Sequence, residues 1–282
     1  MNSAKHPMIS IIVATYNVVM TLQQCISSIV GQAYENIELI IIDGGSTDGT
    51  VELLEINNHL ISYWISESDK GIYNAWNKGL LQAKGEWICF IGADDFILDT
   101  QVIERIAIQL AMIPSNINVA YGQIMLLNNF GENLYAIGEP WGKVKERFKQ
   151  IMSIPHPGLM HRRSLFEQNG NFDESFRIGG DYELLLRELK TADAVFIPDI
   201  ITVGMRQGGL SSSPSNSIET LLEARRAQKM HGLPIPSLIW IVAITRVYFR
   251  LQLWNMLGEK RGKKLIDWVR KISGLPAYWT KI

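Results

Sequence analysis

Glu86-Trp87-Ile88-Cys89-Phe90-Ile91-Gly92-Ala93-Asp94-Asp95 is a short apolar run that stops at two adjacent carboxylates. Such a run, without polar alternation, suits a strand buried on both faces of a parallel sheet. Open α/β sheets bind ligands beyond the carboxyl ends of their strands, and that is where Asp94 and Asp95 stand. Two such charges repel each other unless a cation or solvent compensates them. Hard divalent ions bind through one or two carboxylates plus substrate phosphates, so a metal-held nucleotide is the first hypothesis.

Two similar runs lie upstream. Residues 9–13 read as a buried strand followed by the polar turn Thr15-Tyr16-Asn17, and residues 37–42 as a second strand. The second ends in Asp43-Gly44-Gly45-Ser46-Thr47-Asp48-Gly49, a cluster with permissive backbone and helix-capping side chains. Leu22, Cys25, Ile26, Ile29 and Val30 recur at helical spacing between them. A short strand at 63–65 and a stripe of Ile72, Ala75, Trp76, Gly79, Leu80 and Ala83 lead into the run before Asp94. Strand, helix, strand, helix, strand predicts an α/β fold with a mainly parallel central sheet flanked by helices. Its three loops then meet at one sheet edge.

Downstream the pattern changes. Residues 102–112 predict a helix, 119–127 and 133–137 a strand pair, and 141–151 an amphipathic helix. Pro155-His156-Pro157-Gly158 excludes a helix. A helix is expected over 181–190, a short strand over 194–197, and a polar loop from Gly208 to Pro214. Residues 1–215 are expected to form one catalytic domain and 216–282 a helical, basic and aromatic extension.

The 282 residues carry a net charge of -1, which argues against nucleic acid as a partner. Cys25 and Cys89 sit inside apolar patterns and read as reduced core residues of a cytoplasmic protein. No long apolar segment precedes the first strand, so no leader peptide is expected. Residues 236–257 are apolar and aromatic, but Arg246 and Arg250 make a membrane span costly. Lys260, Arg261, Lys263, Lys264, Arg270 and Lys271 follow, among Trp268, Tyr278 and Trp279. Two readings stay open: peripheral contact with an anionic membrane surface, at the cytoplasmic face of the inner membrane, or packing on the domain with a solvated basic tail.

The ordered series Ile-Ile-Val-Ala-Thr-Tyr-Asn, Ile-Ile-Asp-Gly-Gly-Ser-Thr-Asp-Gly-Thr, Gly-Ile-Tyr-Asn-Ala-Trp-Asn-Lys-Gly, Gly-Ala-Asp-Asp and Gly-Gly-Asp-Tyr-Glu-Leu-Leu-Leu-Arg resembles family 2 glycosyltransferases of GT-A fold. The resemblance spans about residues 8–215 and is far more specific than any single motif. It implies an inverting transfer from a nucleotide-sugar donor to a hydroxyl of a glycan or lipid-linked glycan, as in bacterial surface polysaccharide, exopolysaccharide or lipopolysaccharide synthesis.

The resemblance also assigns roles. Asp95 is the expected ligand for Mg²⁺ or Mn²⁺, with Asp94 sharing the metal and touching the ribose or donor sugar. Gly92 stands where a further acid is common. Asp43 is expected at the base and ribose, Tyr16 beside the base, and Thr15 and Asn17 as its hydrogen-bond partners. Gly44 replaces a second acid common there, so the nucleotide is open. Asp69 is either a base contact or the cap of the helix from Ile72. Asp181 is the candidate general base, preceded by Gly180 where an acid is frequent. His156 is a candidate for acceptor or metal, or a structural histidine. Arg206 precedes a loop suited to a lid over the donor phosphates and is a candidate phosphate partner, and Arg162-Arg163 reads as a solvated pair. The rivals are a catalytically silent binding module, which is expected to lose these carboxylates, and a nucleotidyltransferase, which needs a basic Gly-rich loop after the first strand.

Overall fold

A computed structural model describes residues 6–128, 131–207, 209, 216–272, 274, 277 and 279–280. The chain opens with β1 (Ile9–Thr15), α1 (Val19–Val30), β2 (Ile37–Asp43), α2 (Thr50–Ile56), β3 (Tyr63–Ser66), α3 (Ile72–Gln82) and β4 (Trp87–Gly92). β1 lies between β2 and β4, and β2 beside β3, all parallel. This is the right-handed crossover logic of an open α/β sheet. Odd and even positions separate cleanly along these strands. Ile9, Ile11, Val13, Leu39 and Ile41 face a core with Leu22, Cys25 and Ile26 of α1, whereas Ile12, Ile40 and Ile42 face Tyr73, Ala75 and Trp76 of α3. With both faces covered, the strands need the continuous apolar runs seen in the sequence.

The second half follows as β5 (Phe96–Ile97), α4 (Val102–Leu110), β6 (Val119–Leu127), β7 (Asn133–Ile137), α5 (Trp141–Phe148), β8 (Met160–Arg162), α6 (Arg163–Asn169), α7 (Gly180–Leu189) and β9 (Ala194–Arg206). Among the described residues the sheet runs β3-β2-β1-β4-β8-β6-β9-β5, with β7 on β6. β8 is antiparallel to both β4 and β6, so it turns the parallel half into a mixed sheet. β6 and β7 form the expected antiparallel pair.

Three expectations need correction. The strand expected at 194–197 continues to Arg206; Pro198 and Asp199, whose φ is +59, break the pattern while pairing to β6 resumes with a register shift. The helix expected to reach residue 151 ends at Phe148. Arg162 and Arg163 are not a solvated pair. Arg162 meets Glu86 at 2.7 Å and lies 4.3 Å over the Trp87 ring, and Arg163 donates to the Gly85 carbonyl at 2.7 Å.

Beyond the sheet come α8 (Ser217–Met230), α9 (Leu238–Leu257) and α10 (Glu259–Ile272). α8 contributes Ala224 and Ala227 to the core that holds α3 and α7. α9 buries none of its residues; Ser237 caps it, and the Trp240 indole donates to the Leu221 carbonyl of α8. Arg250 lies 4.3 Å over the Trp279 ring, joining α9 to the chain after α10. No helix among the described residues is long and apolar enough to cross a membrane.

Close contact of α3 with β1 depends on Gly79, where a Cβ would lie 2.6 Å from the Ile12 Cγ2 methyl. That methyl is stiff at a β-branched carbon. Gly79→Ala should therefore lower unfolding free energy in denaturant melts by about 1–3 kcal/mol, and the double variant with Ile12→Ala should lose less than the sum of the two single losses.

Candidate active site

Parallel register sets Thr15 opposite Asp43 and Ala14 opposite Gly92, so β1, β2 and β4 end level and their loops adjoin. Asp43 is fully buried. Its carboxylate accepts from Thr15 Oγ1 at 2.9 Å, Gly45 N at 3.0 Å, Ser46 N at 2.9 Å and Ser66 Oγ at 2.6 Å, and from the Ser46 hydroxyl. Burial favours its protonated form, but these donors outweigh burial and hold the carboxyl below its ordinary range. A carboxylate offers about four lone-pair positions, and the protein already occupies them. Asp43, expected at the base, thus shapes the loops. Thr15 shares in this, and Asn17 accepts from Thr47 N at 2.9 Å, from a backbone φ of +52. Tyr16 stands open at 64 % exposure, beside an exposed Asn17, while Thr15 is buried.

Asp69 takes up the space beside Tyr16. A Cβ on Gly44 would lie 2.7 Å from Asp69 Oδ2 and 3.3 Å from the Tyr16 ring. The carboxylate absent from position 44 is therefore matched by one arriving from the turn before α3. Asp69's other oxygen accepts from Gly71 N at 2.8 Å, a local Asx-type turn. Its two alternative expectations are compatible, because one oxygen orders the helix start and the other faces Gly44.

Asp94 and Asp95 follow β4. Asp95 is 5 % exposed and accepts from Arg206 N at 3.1 Å, while Asp94 is half-buried. Burial, and secondarily the Asp94 charge, push the Asp95 carboxyl well above its ordinary range. Burial also raises Asp94, against the pull of the Arg206 charge. The guanidinium of Arg206 reaches Gln24, and its buried Nε has no hydrogen-bond partner among the described residues. Gly209 adjoins Asp94: a Cβ there would sit 3.5 Å from Oδ2. Gly208 and residues 210–214 of the expected lid lie outside the described residues. No group of three metal-ligating side chains occurs among the described residues. Two adjacent carboxylates that Arg206 only partly compensates nonetheless suit an ion that takes its other ligands from phosphate and water.

Asp181 sits in the first turn of α7, half-buried. It accepts from Tyr182 N at 2.7 Å, and the Tyr73 hydroxyl lies 3.4 Å from its Oδ1 while donating to the Ile178 carbonyl. Burial raises its carboxyl to about 6, against the lowering effect of these donors. A carboxylate with that value suits proton abstraction near neutrality. Sequence reasoning passed over Tyr73, although it lies inside the Gly-Ile-Tyr-Asn motif. Tyr73 and Asp69 flank the start of α3, so one turn serves both Gly44 and Asp181.

His156 lies elsewhere in character. It is 6 % exposed, stacks on Trp76 with centroids 5.2 Å apart, and burial pushes it down to about 3. It is a neutral ring within an aromatic cluster. Arg187 is structural: it pairs with Glu183 at 2.6 Å and caps the Asn171 carbonyl at 2.9 Å.

The family model described as glycosyl transferase family 2 matches residues 10–121. A PGL/p-HBAD biosynthesis glycosyltransferase of Mycobacterium bovis is 31% identical over 189 residues, covering 64% of this chain and 69% of that protein. An uncharacterized glycosyltransferase of Rickettsia typhi is 27% identical over 201 residues, covering 69% of this chain and 63% of that protein. The chain belongs to glycosyl transferase family 2 and is a glycosyltransferase. Its GT-A-type fold is shared with S. aureus TarS, at TM-score 0.62 and 16% identity, covering 90% of this chain and 46% of TarS. The Pyrobaculum calidifontis mannosyltransferase PcManGT, solved with GDP-Man and Mn²⁺, superposes at TM-score 0.58 and 16% identity, covering 98% of this chain and 84% of that one.

The raised carboxyl of Asp181 has a thermodynamic signature. The folded chain binds its proton more tightly than the unfolded chain, whose carboxyl titrates near 3.8, so ionising Asp181 costs stability as pH rises through about 6. Asp181→Asn should raise Tm above pH about 7, and the gain should fade by pH about 4 in calorimetric scans.

Proposed function

We propose that this glycosyltransferase is inverting and assisted by Mg²⁺ or Mn²⁺, moving a sugar from a nucleoside-diphosphate donor to an acceptor hydroxyl. The observation that carries the reading is the pairing of two carboxylate centres with opposite tasks. Asp94 and Asp95 form an acid pair that Arg206 only partly compensates, and Asp181 is a separate carboxylate raised towards neutrality. The TarS and PcManGT folds, solved with UDP-GlcNAc and with GDP-Man and Mn²⁺, support the donor class and the cation.

Tyr16 packs beside the base, and Asp69 contacts it from the place Gly44 leaves open. Asp43, Thr15 and Asn17 keep those loops in shape. Asp95 and Asp94 would hold the cation, with Asp94 also reaching the ribose or donor sugar. Held there, a cation would supply positive charge to offset the negative charge developing on the departing diphosphate. Arg206 adds a fixed positive charge there. Asp181 takes the proton of the acceptor hydroxyl as that oxygen attacks the anomeric carbon. The bond from that carbon to the diphosphate oxygen breaks, and the nucleoside diphosphate leaves with its electron pair. Attack opposite the leaving group inverts the anomeric centre.

Asp95→Ala and Asp181→Asn should each reduce transfer by about 10²-fold or more without loss of fold. They should differ in binding. Asp181→Asn should keep the Mn²⁺-dependent thermal shift given by nucleoside diphosphates, and Asp95→Ala should lose it. Full turnover by Asp181→Asn contradicts this mechanism.

We assign the acceptor to a growing, lipid-linked bacterial surface glycan, met at the cytoplasmic face of the inner membrane. The support is the exposed apolar line of Leu238, Ile241, Val242, Tyr248, Phe249 and Met256 along α9. On α10, Leu265, Trp268, Val269 and Ile272 form a second exposed stripe beside basic residues, a pattern suited to an anionic lipid surface. The protein should sediment with vesicles rich in phosphatidylglycerol and much less with phosphatidylcholine alone. Trp268→Ala combined with Lys264→Glu should weaken that binding about tenfold, whereas equal recovery with both lipids contradicts the assignment.

A further inference from the structure

The base motif departs from its family pattern at Gly180, and the packing around it supplies a reason. A Cβ on Gly180 would lie 2.8 to 2.9 Å from three ring atoms of Tyr73. A buried aromatic ring in a dense core does not yield as a flexible chain end does. Gly179 is closed from another side, where a Cβ would lie 3.1 Å from the Glu223 Cβ on α8. A side chain at either position meets one of these two neighbours.

Glu223 supplies a carboxylate from α8 instead. Its Oε1 accepts from Arg177 N at 2.8 Å, and its Oε2 accepts from Ile178 N and Gly179 N, both at 2.7 Å. These amides lead into the amino end of α7, where unpaired N–H groups and the helix dipole favour a negative partner. The Tyr73 hydroxyl, from α3, binds the Ile178 carbonyl in the same short stretch and faces Asp181. The Arg177, Ile178 and Gly179 amides and the Ile178 carbonyl are thereby held by side chains from α8 and α3.

We infer that Glu223 and Tyr73 are positioning residues for the base, with Glu223 supplying from α8 the acid that Gly180 does not carry. This rests on Asp181 being the base. Among the described residues, Tyr73 on α3 and Glu223 on α8 are the titratable groups that act on Asp181 from the elements packed around it. They act in opposite senses. The Tyr73 hydroxyl favours the ionised Asp181, and the Glu223 charge opposes it. α8 is on this account part of the reaction centre, although it follows the last strand of the sheet.

The test is the pH dependence of kcat and KM in the full-length chain carrying Asp181→Asn, Glu223→Gln or Tyr73→Phe, assayed with Mn²⁺ and the nucleotide-sugar that gives turnover. Glu223→Gln keeps an acceptor oxygen and drops the charge. Its kcat should fall about 10- to 100-fold with donor KM unchanged, and its acidic limb should move to lower pH. Tyr73→Phe should also lose kcat, but its acidic limb should move to higher pH. A purely structural loosening would not shift the two limbs in opposite directions. Wild-type kcat in both variants, or limbs that stay in place, overturns the inference while Asp181→Asn remains inactive. An active Asp181→Asn instead removes the base reading itself. Should Glu223→Gln not fold, Tyr73→Phe carries the same test with the Glu223 carboxylate still in place.

Discussion

Parallel pairing of β1 with β2 and β4 ends three strands at one level, with Thr15 against Asp43 and Ala14 against Gly92. The chemistry of this protein depends on that register. A one-residue slip would turn each strand's side chains to the opposite face and destroy both cores. It would also carry Asp94 and Asp95 away from Arg206, which reaches them from the end of β9. The sheet therefore fixes where charge gathers as well as how the chain folds.

Gathering acids at one edge has an electrostatic cost, and the structure handles each acid differently. Asp43 is saturated with hydroxyl and amide donors, so it stays ionised without a ligand. Asp94 and Asp95 have far less compensation, and burial leaves their charge uncomfortable. Asp181 lies between these cases, with a few donors offsetting burial. The proposed function matches these three environments with three tasks: holding a loop, attracting a cation and moving a proton. Side-chain packing makes the same distinction among glycines. Gly44 faces the Asp69 carboxylate, and Gly180 faces the Tyr73 ring.

Most of the parallel half was legible in the sequence, because strands covered on both faces demand unbroken apolar runs. β1, β2, β4 and the carboxylates at their ends stand out for that reason. β8 and β5, of three and two residues, are too short for any periodicity to mark them. β9 is hidden by Pro198 and Asp199, which break its alternation without ending its pairing. The loop-holding contacts of Asp43 are not legible in sequence, because only geometry shows which hydroxyls and amides its oxygens accept from. Of the readings open for His156, the structural one fits the aromatic cluster that encloses it, which no local motif announces. Glu223 carries no local motif at all; its link to residues 177–179 spans more than forty positions and exists only once α8 docks on α7.

The central claim is that Asp94-Asp95 and Asp181 serve one donor from opposite sides. A crystal structure of the inactive Asp181→Asn protein with Mn²⁺ and an intact nucleotide-sugar tests it most directly. The account predicts Mn²⁺ bridging the diphosphate to Asp94 or Asp95, with residue 181 facing the anomeric carbon opposite the leaving oxygen. A donor seated away from the ends of β1, β2 and β4, or an anomeric carbon turned from residue 181, would contradict it.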